Sequence, residues 1–295
     1  MSMVRKDVTI AIPCYNEEKF VYATVSAAAK FGSPVLVVDN NSTDATPQIC
    51  AALAKEYANV TFVPRISKND NVLANYERCA FLPETPYILF LRARDFVSEN
   101  YISVLAQALD ENPDAGLACT PIYTLDSDGV IRHEEKPVNS DVFLSDNRLE
   151  RGVAFIEGLY FTPAWALYRK DVLQQCCVFA RNEDLYVGAD LVMMLNCALS
   201  EKWVYIKDAQ YVKRSKYTVE EIVNSRKNLY LEGYKSQFGL SENEQKYPHH
   251  RLGRNLIKLL ESVDGVSEAE RARWIVQVKK AFTERCKKDS LPSPF

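Results

Sequence analysis

The chain has 295 residues, 47% of them hydrophobic and 25% charged, which is the make-up of an ordinary globular protein long enough to bury a substantial core. A net charge of −3 leaves no electrostatic footprint for nucleic acid, and no apolar run approaches the roughly 18 residues of a membrane span. The eight cysteines (Cys14, Cys50, Cys79, Cys119, Cys176, Cys177, Cys197, Cys286) form no C-x-x-C pair, and three histidines occur without an H-E-x-x-H. This is the pattern of reduced core cysteines in a cytosolic protein, and it argues against a disulfide framework, a zinc site or a Cys/His nucleophile.

Val8 to Ile12 is an apolar, β-branched run and predicts the first strand. It spans only about five residues before Pro13, too few for the core of a secretory signal. Asn16 is then a candidate helix cap, with Glu17 and Glu18 in a first turn where carboxylates suit the macrodipole. Phe20, Val21, Thr24, Val25 and Ala28 follow at helical spacing up to Gly32-Ser33-Pro34. Val35 to Val38 predicts a second strand that ends in the polar cluster Asp39 to Asp44. Pro47 opens a helix carrying Ile49, Ala52, Leu53 and Tyr57, and Val60 to Val63 is a third strand. A polar loop through Lys68, Asn69 and Asp70 leads into a helix with Leu73, Tyr76, Ala80 and Phe81.

The fourth strand, Tyr87 to Leu91, is continuously apolar, as a strand buried on both faces of a parallel sheet must be. It stops in Arg92, Ala93, Arg94 and Asp95. Ser98 is placed to cap a helix with Tyr101, Val104, Leu105, Ala108 and Leu109 on one face. Strand and helix in alternation predict right-handed βαβ units, hence an α/β fold with a mostly parallel sheet and helices on both faces. The polar clusters after strands one, two and four then converge at the carboxyl edge, where open α/β sheets bind ligands.

Beyond Gly116 the rhythm changes. Gly116 to Leu125 and Val130 to His133 predict a hairpin, and Glu134 to Arg151 reads as a long polar loop of the kind that covers active sites. Ala164 to Tyr168, Trp203 to Ile206 and Tyr211 to Val212 predict short strands, and Asp190 begins a helix. From about Lys216 only helical patterns remain, including Glu268 to Ala281. Residues 1–215 are thus expected to form one domain and 216–295 a helical extension. Lys279, Lys280, Arg285, Lys287 and Lys288 suggest that the extension touches a membrane surface; packing on the first domain and a homodimer are the other roles open to it.

Tyr15 offers an aromatic face for a flat heterocycle, and Asp39 can accept from a ring N–H or ribose hydroxyls. The glycine signatures of dinucleotide-binding and P-loop phosphate sites are missing. The segments V-T-I-A-I-P-C-Y-N-E-E, V-L-V-V-D-N-N-S-T-D-A-T and Y-I-L-F-L-x-A-x-D resemble, in order and spacing, the family 2 glycosyltransferases of GT-A fold. The resemblance covers roughly residues 6 to 215. Asn71 and Asn75 match polar positions common in that family, Tyr160 to Lys170 resembles its acceptor-side segment, and Gly188-Ala189-Asp190 resembles the acidic residue that opens its later helix.

The resemblance implies a nucleotide-sugar donor, most often UDP-linked, and inverting transfer to a glycan or lipid-linked acceptor at the cytoplasmic face of a membrane or in the cytoplasm. It places Pro13, Tyr15 and Glu17 around the base, Asp39 on base or ribose, Asn71 among the donor contacts, and Asp190 as the general base. The chain departs from the family where D-A-D-D is usual, because Arg92, Ala93, Arg94 and Asp95 stand there. One carboxylate beside two guanidiniums is a poor place for Mn or Mg, so Asp95 is the single metal ligand this motif could offer. If strand geometry persists, Arg92 and Arg94 share a side and could hold the diphosphate in a metal's stead, helped by Arg214 and Lys216. Three outcomes stay open: transfer that requires no cofactor, transfer through a metal at Asp95, and a non-catalytic nucleotide- or glycan-binding module.

Overall fold

The computed structural model describes residues 4–64, 72–126, 129–137, 139–157, 164–177, 189–215, 257–258, 260–262 and 266–288. The chain opens with β1 (Val8–Cys14), α1 (Val21–Ala29), β2 (Val35–Asp39), α2 (Thr46–Glu56), β3 (Val60–Val63), α3 (Val72–Phe81) and β4 (Tyr87–Phe90). Then come β5 (Phe96–Val97), α4 (Tyr101–Glu111), β6 (Ala115–Cys119), β7 (Ile122–Leu125), β8 (Ile131–Glu135), a 3-10 turn (Asp141–Leu144) and α5 (Arg148–Glu157). The last elements are β9 (Leu167–Arg169), α6 (Lys170–Cys176), α7 (Ala189–Ser200), β10 (Lys202–Tyr205), β11 (Tyr211–Arg214) and α8 (Glu268–Lys288).

Seven strands form the central sheet in the order β10-β6-β9-β4-β1-β2-β3. β1 pairs in parallel with both β2 and β4, while β9 runs antiparallel between β4 and β6. Every residue of β1, β2 and β4 is buried; strands covered by helices on both faces need no polar alternation. The chain leaves β1 toward β2 and β3, then crosses back to place β4 on the other side of β1. The carboxyl ends of β1 and β4 therefore mark the switch point at which such sheets open a crevice.

A second sheet, β5-β11-β7-β8, stands beside the first. The stretch 116–125 expected as one hairpin arm divides at Thr120-Pro121. Its first half joins β10 in the main sheet, and its second half pairs with β8 as the expected hairpin. Proline has no N–H for a ladder, which suits a change of sheet at that point.

The expected loop from Glu134 to Arg151 instead ends in α5. That helix reads as polar because one of its core positions is Arg151, whose buried guanidinium donates to the carbonyls of Ala198 (2.8 Å), Leu199 (3.4 Å) and Ser145 (2.6 Å). Two of those carbonyls belong to the last turn of α7, where a cation meets the negative end of the helix dipole. Gly152 lets the helices approach closely: a Cβ there would lie 2.7 Å from Leu199 Cδ2.

α8 opens on a capping box. Glu270 N–H donates to Ser267 Oγ, and the Glu270 carboxylate accepts from Ser267 N–H at 2.9 Å. Its buried Trp274 and Val278 pack toward α5, so the described part of the C-terminal segment packs on the rest of the chain. The cysteines whose side chains are described, seven in all, are buried and unbridged. No helix among the described residues is long and apolar enough to cross a membrane.

Trp203 on β10 joins these layers. It stacks on Phe143 (centroids 4.6 Å apart, planes 11° apart) and meets Phe155 of α5 edge-on at 5.9 Å, while its indole N–H has no partner among the described residues. Trp203→Ala is therefore expected to cost about 3–5 kcal/mol in urea unfolding. Trp203→Phe should cost clearly less, because it keeps a ring in the stack and removes an unsatisfied donor.

Candidate functional site

The carboxyl ends of β1 and β2 are stitched together loop to loop. Cys14 and Asp39 are register partners, and the Cys14 thiol lies 3.7 Å from Asp39 Oδ1. The Asp39 carboxylate is almost fully buried and accepts from Ser42 N–H (2.9 Å) and Ser42 Oγ (2.5 Å), which folds the segment after β2 back over the strand end. Asn16 is not the cap of α1. It takes a left-handed backbone (φ 51°), and its side-chain oxygen accepts from Thr43 N–H at 2.8 Å, because a short amide gains more by bridging two loops than by capping a helix that starts only at Val21. Its own N–H donates to Ser42 Oγ (2.9 Å), Glu17 N–H to Thr46 Oγ1 (2.8 Å) and Glu18 N–H to Asp44 Oδ2 (3.1 Å). Tyr15 projects from this frame 44% exposed. Pro13 is buried within β1 opposite Val38.

β4 ends at Phe90, and residues 92–95 form a turn closed by Asp95 N–H on the Arg92 carbonyl (3.0 Å). Strand alternation therefore does not reach the arginines, and each is held by a different carboxylate. Arg94 Nη2 lies 2.9 Å from Glu17 Oε1, so Glu17 is an ion-pair partner in the loop after β1. Burial pulls the Arg94 guanidinium below its ordinary value, against the opposing pull of Glu17. Arg92 chelates Asp95 through Nε (2.6 Å) and Nη2 (3.0 Å) and lies over the Trp165 ring at 5.4 Å.

Asp95 is fully buried. Besides Arg92, its Oδ2 accepts from Tyr211 OH (2.8 Å) and its Oδ1 from Arg214 N–H (2.9 Å). An ionised carboxylate has about four acceptor positions, and these four donors fill them. Burial lowers the Arg92 guanidinium, but Asp95 and Tyr211 outweigh it and hold it above its usual range. Burial and then the Asp95 charge push the Tyr211 phenol well up, so it stays a proton donor. Asp95, the residue expected as the single metal ligand, thus has its acceptor positions taken up within the protein, and among the described residues no group of three His, Cys, Asp or Glu side chains could hold a metal ion.

Arg214, at the end of β11, places its guanidinium 5.1 Å from the Phe20 ring and 5.3 Å from the Phe96 ring. The pairing of β11 with β5 brings Phe96 and Arg214 together. Tyr211 and Trp165 were not among the residues singled out from sequence. Neither carries a local signal, and only long-range strand pairing delivers Tyr211 to Asp95. Asp190 is the second residue of α7, of which the backbone is described; Asn71 and Lys216 lie outside the described residues.

Comparison with known proteins bears on this arrangement. The model of glycosyl transferase family 2 matches residues 9–177. The minor teichoic acid biosynthesis protein GgaA of Bacillus subtilis (strain 168) is 22% identical over 243 residues, 76% of this chain and 51% of that protein, so the chain spans about half the length of this curated relative. Residues 1–349 of S. aureus TarS, solved in complex with UDP-GlcNAc, superpose with a TM-score of 0.65 at 16% identity, covering 95% of this chain and 72% of that one. The mannosyltransferase PcManGT from Pyrobaculum calidifontis, solved with GDP-Man and Mn2+, superposes with a TM-score of 0.50 at 16% identity, over 98% of this chain and 77% of the other. At these identities the likeness to solved structures establishes the GT-A fold.

The Asp95 cluster makes a stability prediction. Asp95→Asn leaves the Arg92 charge without its carboxylate. Removing one partner of a buried pair costs about 3–5 kcal/mol; with the Arg92 side chain 26% exposed, a loss of about 2–4 kcal/mol is expected. Urea unfolding of Asp95→Asn, Arg92→Gln and the double variant should show the double losing less than the sum of the singles.

Proposed function

The chain belongs to glycosyl transferase family 2, and from that premise we propose that it moves a sugar, with inversion, from a UDP-linked donor to a hydroxyl of a glycan or lipid-linked acceptor. The observation that carries this reading is the β1/β4 switch point, the place where open α/β sheets form a ligand crevice, with exposed Tyr15 and the Asp39 turn on its β1/β2 side and the 92–95 turn on its β4 side. Tyr15 offers its ring face to the base, and Asp39 meets the base or ribose with the acceptor capacity that Ser42 leaves. Pro13 and Glu17 shape the wall from behind, Glu17 by fixing Arg94. TarS, seen with UDP-GlcNAc, and GgaA, named for teichoic acid synthesis, support a UDP-linked donor and a cell-wall polymer or its lipid-linked precursor as acceptor.

In the proposed reaction the acceptor oxygen attacks the anomeric carbon, the bond from that carbon to the donor phosphate breaks, and the nucleoside diphosphate leaves with the electron pair. Asp190, in the first turn of α7, takes the acceptor proton. Residues 1–215 carry this chemistry.

A second reading has one observation in its favour. The acidic motif is altered, and its remaining aspartate is fully occupied within the protein, as a binding module that had given up transfer would tolerate.

Two measurements separate the readings. Calorimetry should show UDP binding that Asp39→Ala weakens at least about tenfold, the loss of one hydrogen bond to a charged group. UDP release from UDP-sugars should fall about 10²–10⁴-fold in Asp190→Asn, the usual weight of a general base, with UDP affinity kept. UDP binding without turnover of any sugar nucleotide would leave the non-catalytic reading standing.

A further inference from the structure

Three arginines surround the crevice, and their charges are spent differently. Arg92 is chelated by Asp95 and Arg94 is paired with Glu17. Arg214 lies over the faces of two phenylalanine rings, Phe20 and Phe96, and no carboxylate bonds its guanidinium among the described residues. The ring faces attract the cation without accepting a conventional hydrogen bond from it. Its five N–H donors therefore keep capacity for an anion. Its backbone is fixed independently, because Arg214 N–H donates to Asp95 Oδ1 at 2.9 Å. Phe20 ends the loop after β1 and Phe96 follows the turn after β4, so the two rings bring the guanidinium to the carboxyl-edge loops of both strands. The half-buried side chain is thus a cation that no carboxylate among the described residues neutralises.

We propose that Arg214 is the residue that grips the diphosphate of the donor, taking bidentate contacts that a divalent metal could not supply through the saturated Asp95. A planar guanidinium pre-oriented by two rings matches two phosphate oxygens at low entropic cost. Arg92 and Arg94 serve a different end, as internally neutralised cations that shape the turn beneath it. This assignment rests on the reading of the crevice as a sugar-nucleotide site and adds to it which residue meets the negative charge.

The test compares uridine with UDP by calorimetry on the full chain, in EDTA and then, for the wild type, with manganese in place of EDTA. Wild type should bind UDP about 10- to 100-fold more tightly than uridine, the weight of one charged bidentate contact. Arg214→Gln should erase most of that ratio while leaving uridine affinity within about twofold, because the diphosphate contact alone is lost. Arg214→Lys, which keeps the charge and loses the fork, should fall between them; should the Gln variant fail to fold, the Lys variant carries the test, and an unchanged ratio there overturns the assignment. A ratio unchanged in Arg214→Gln, or a parallel loss of uridine and UDP affinity, would overturn it too. So would a wild type that prefers UDP only once manganese is restored. A wild type that binds neither ligand under any condition would instead remove the sugar-nucleotide reading and this assignment with it.

Discussion

The region between the two sheets depends on one buried carboxylate. Asp95 receives a chelating guanidinium from its own turn and a phenol and a backbone N–H from β11. Taking that charge out of water costs several kcal/mol, which only well-aligned, charge-assisted bonds offset. The carbonyl of the same residue accepts from Thr24 Oγ1 of α1. A single side chain and its backbone therefore bind the turn after β4, the helix after β1 and an inner strand of the second sheet. The placement of the 92–95 turn follows from that joint.

Around the joint the polar groups are largely committed before any ligand arrives. Asp39 is bonded to Ser42, Asn16 to Thr43, and Glu17 to Arg94 and Thr46. Such networks fix side-chain positions at the cost of acceptor capacity. They leave the exposed Tyr15 ring and the edge of the Arg214 guanidinium as the groups most free to meet a ligand, and these two differ in chemistry as an aromatic base differs from a diphosphate.

Much of this was legible in the sequence, for reasons that can be named. β1, β2 and β4 are buried on both faces, so they appear as unbroken apolar runs, and the helices between them keep an apolar stripe. The same residues fix the family and the parallel sheet. Legibility failed where an interaction crosses the sequence or reverses a local preference. Arg92 and Arg94 look like neighbours on one strand face, yet the strand has already ended at Phe90. Asn16 has the composition of a cap but serves a loop in left-handed geometry. α5 hides behind Arg151, a charged residue in a core position that makes sense only beside the end of α7. β5 has two residues, and nothing in them announces a partner more than a hundred positions away.

That separation also governs the order in which the molecule can assemble. Asp95 meets the Tyr211 phenol across 116 residues and the Arg214 backbone across 119. At ribosomal rates of roughly 5–20 residues per second, about ten seconds pass between synthesis of the turn and synthesis of the strand that completes it. Until then the carboxylate has only Arg92 and water. The parallel core of β1 to β4 is free to form early, while the turn after β4 gains its full set of partners only on the arrival of β11, so folding of the scaffold and completion of its carboxyl edge are separate events in time.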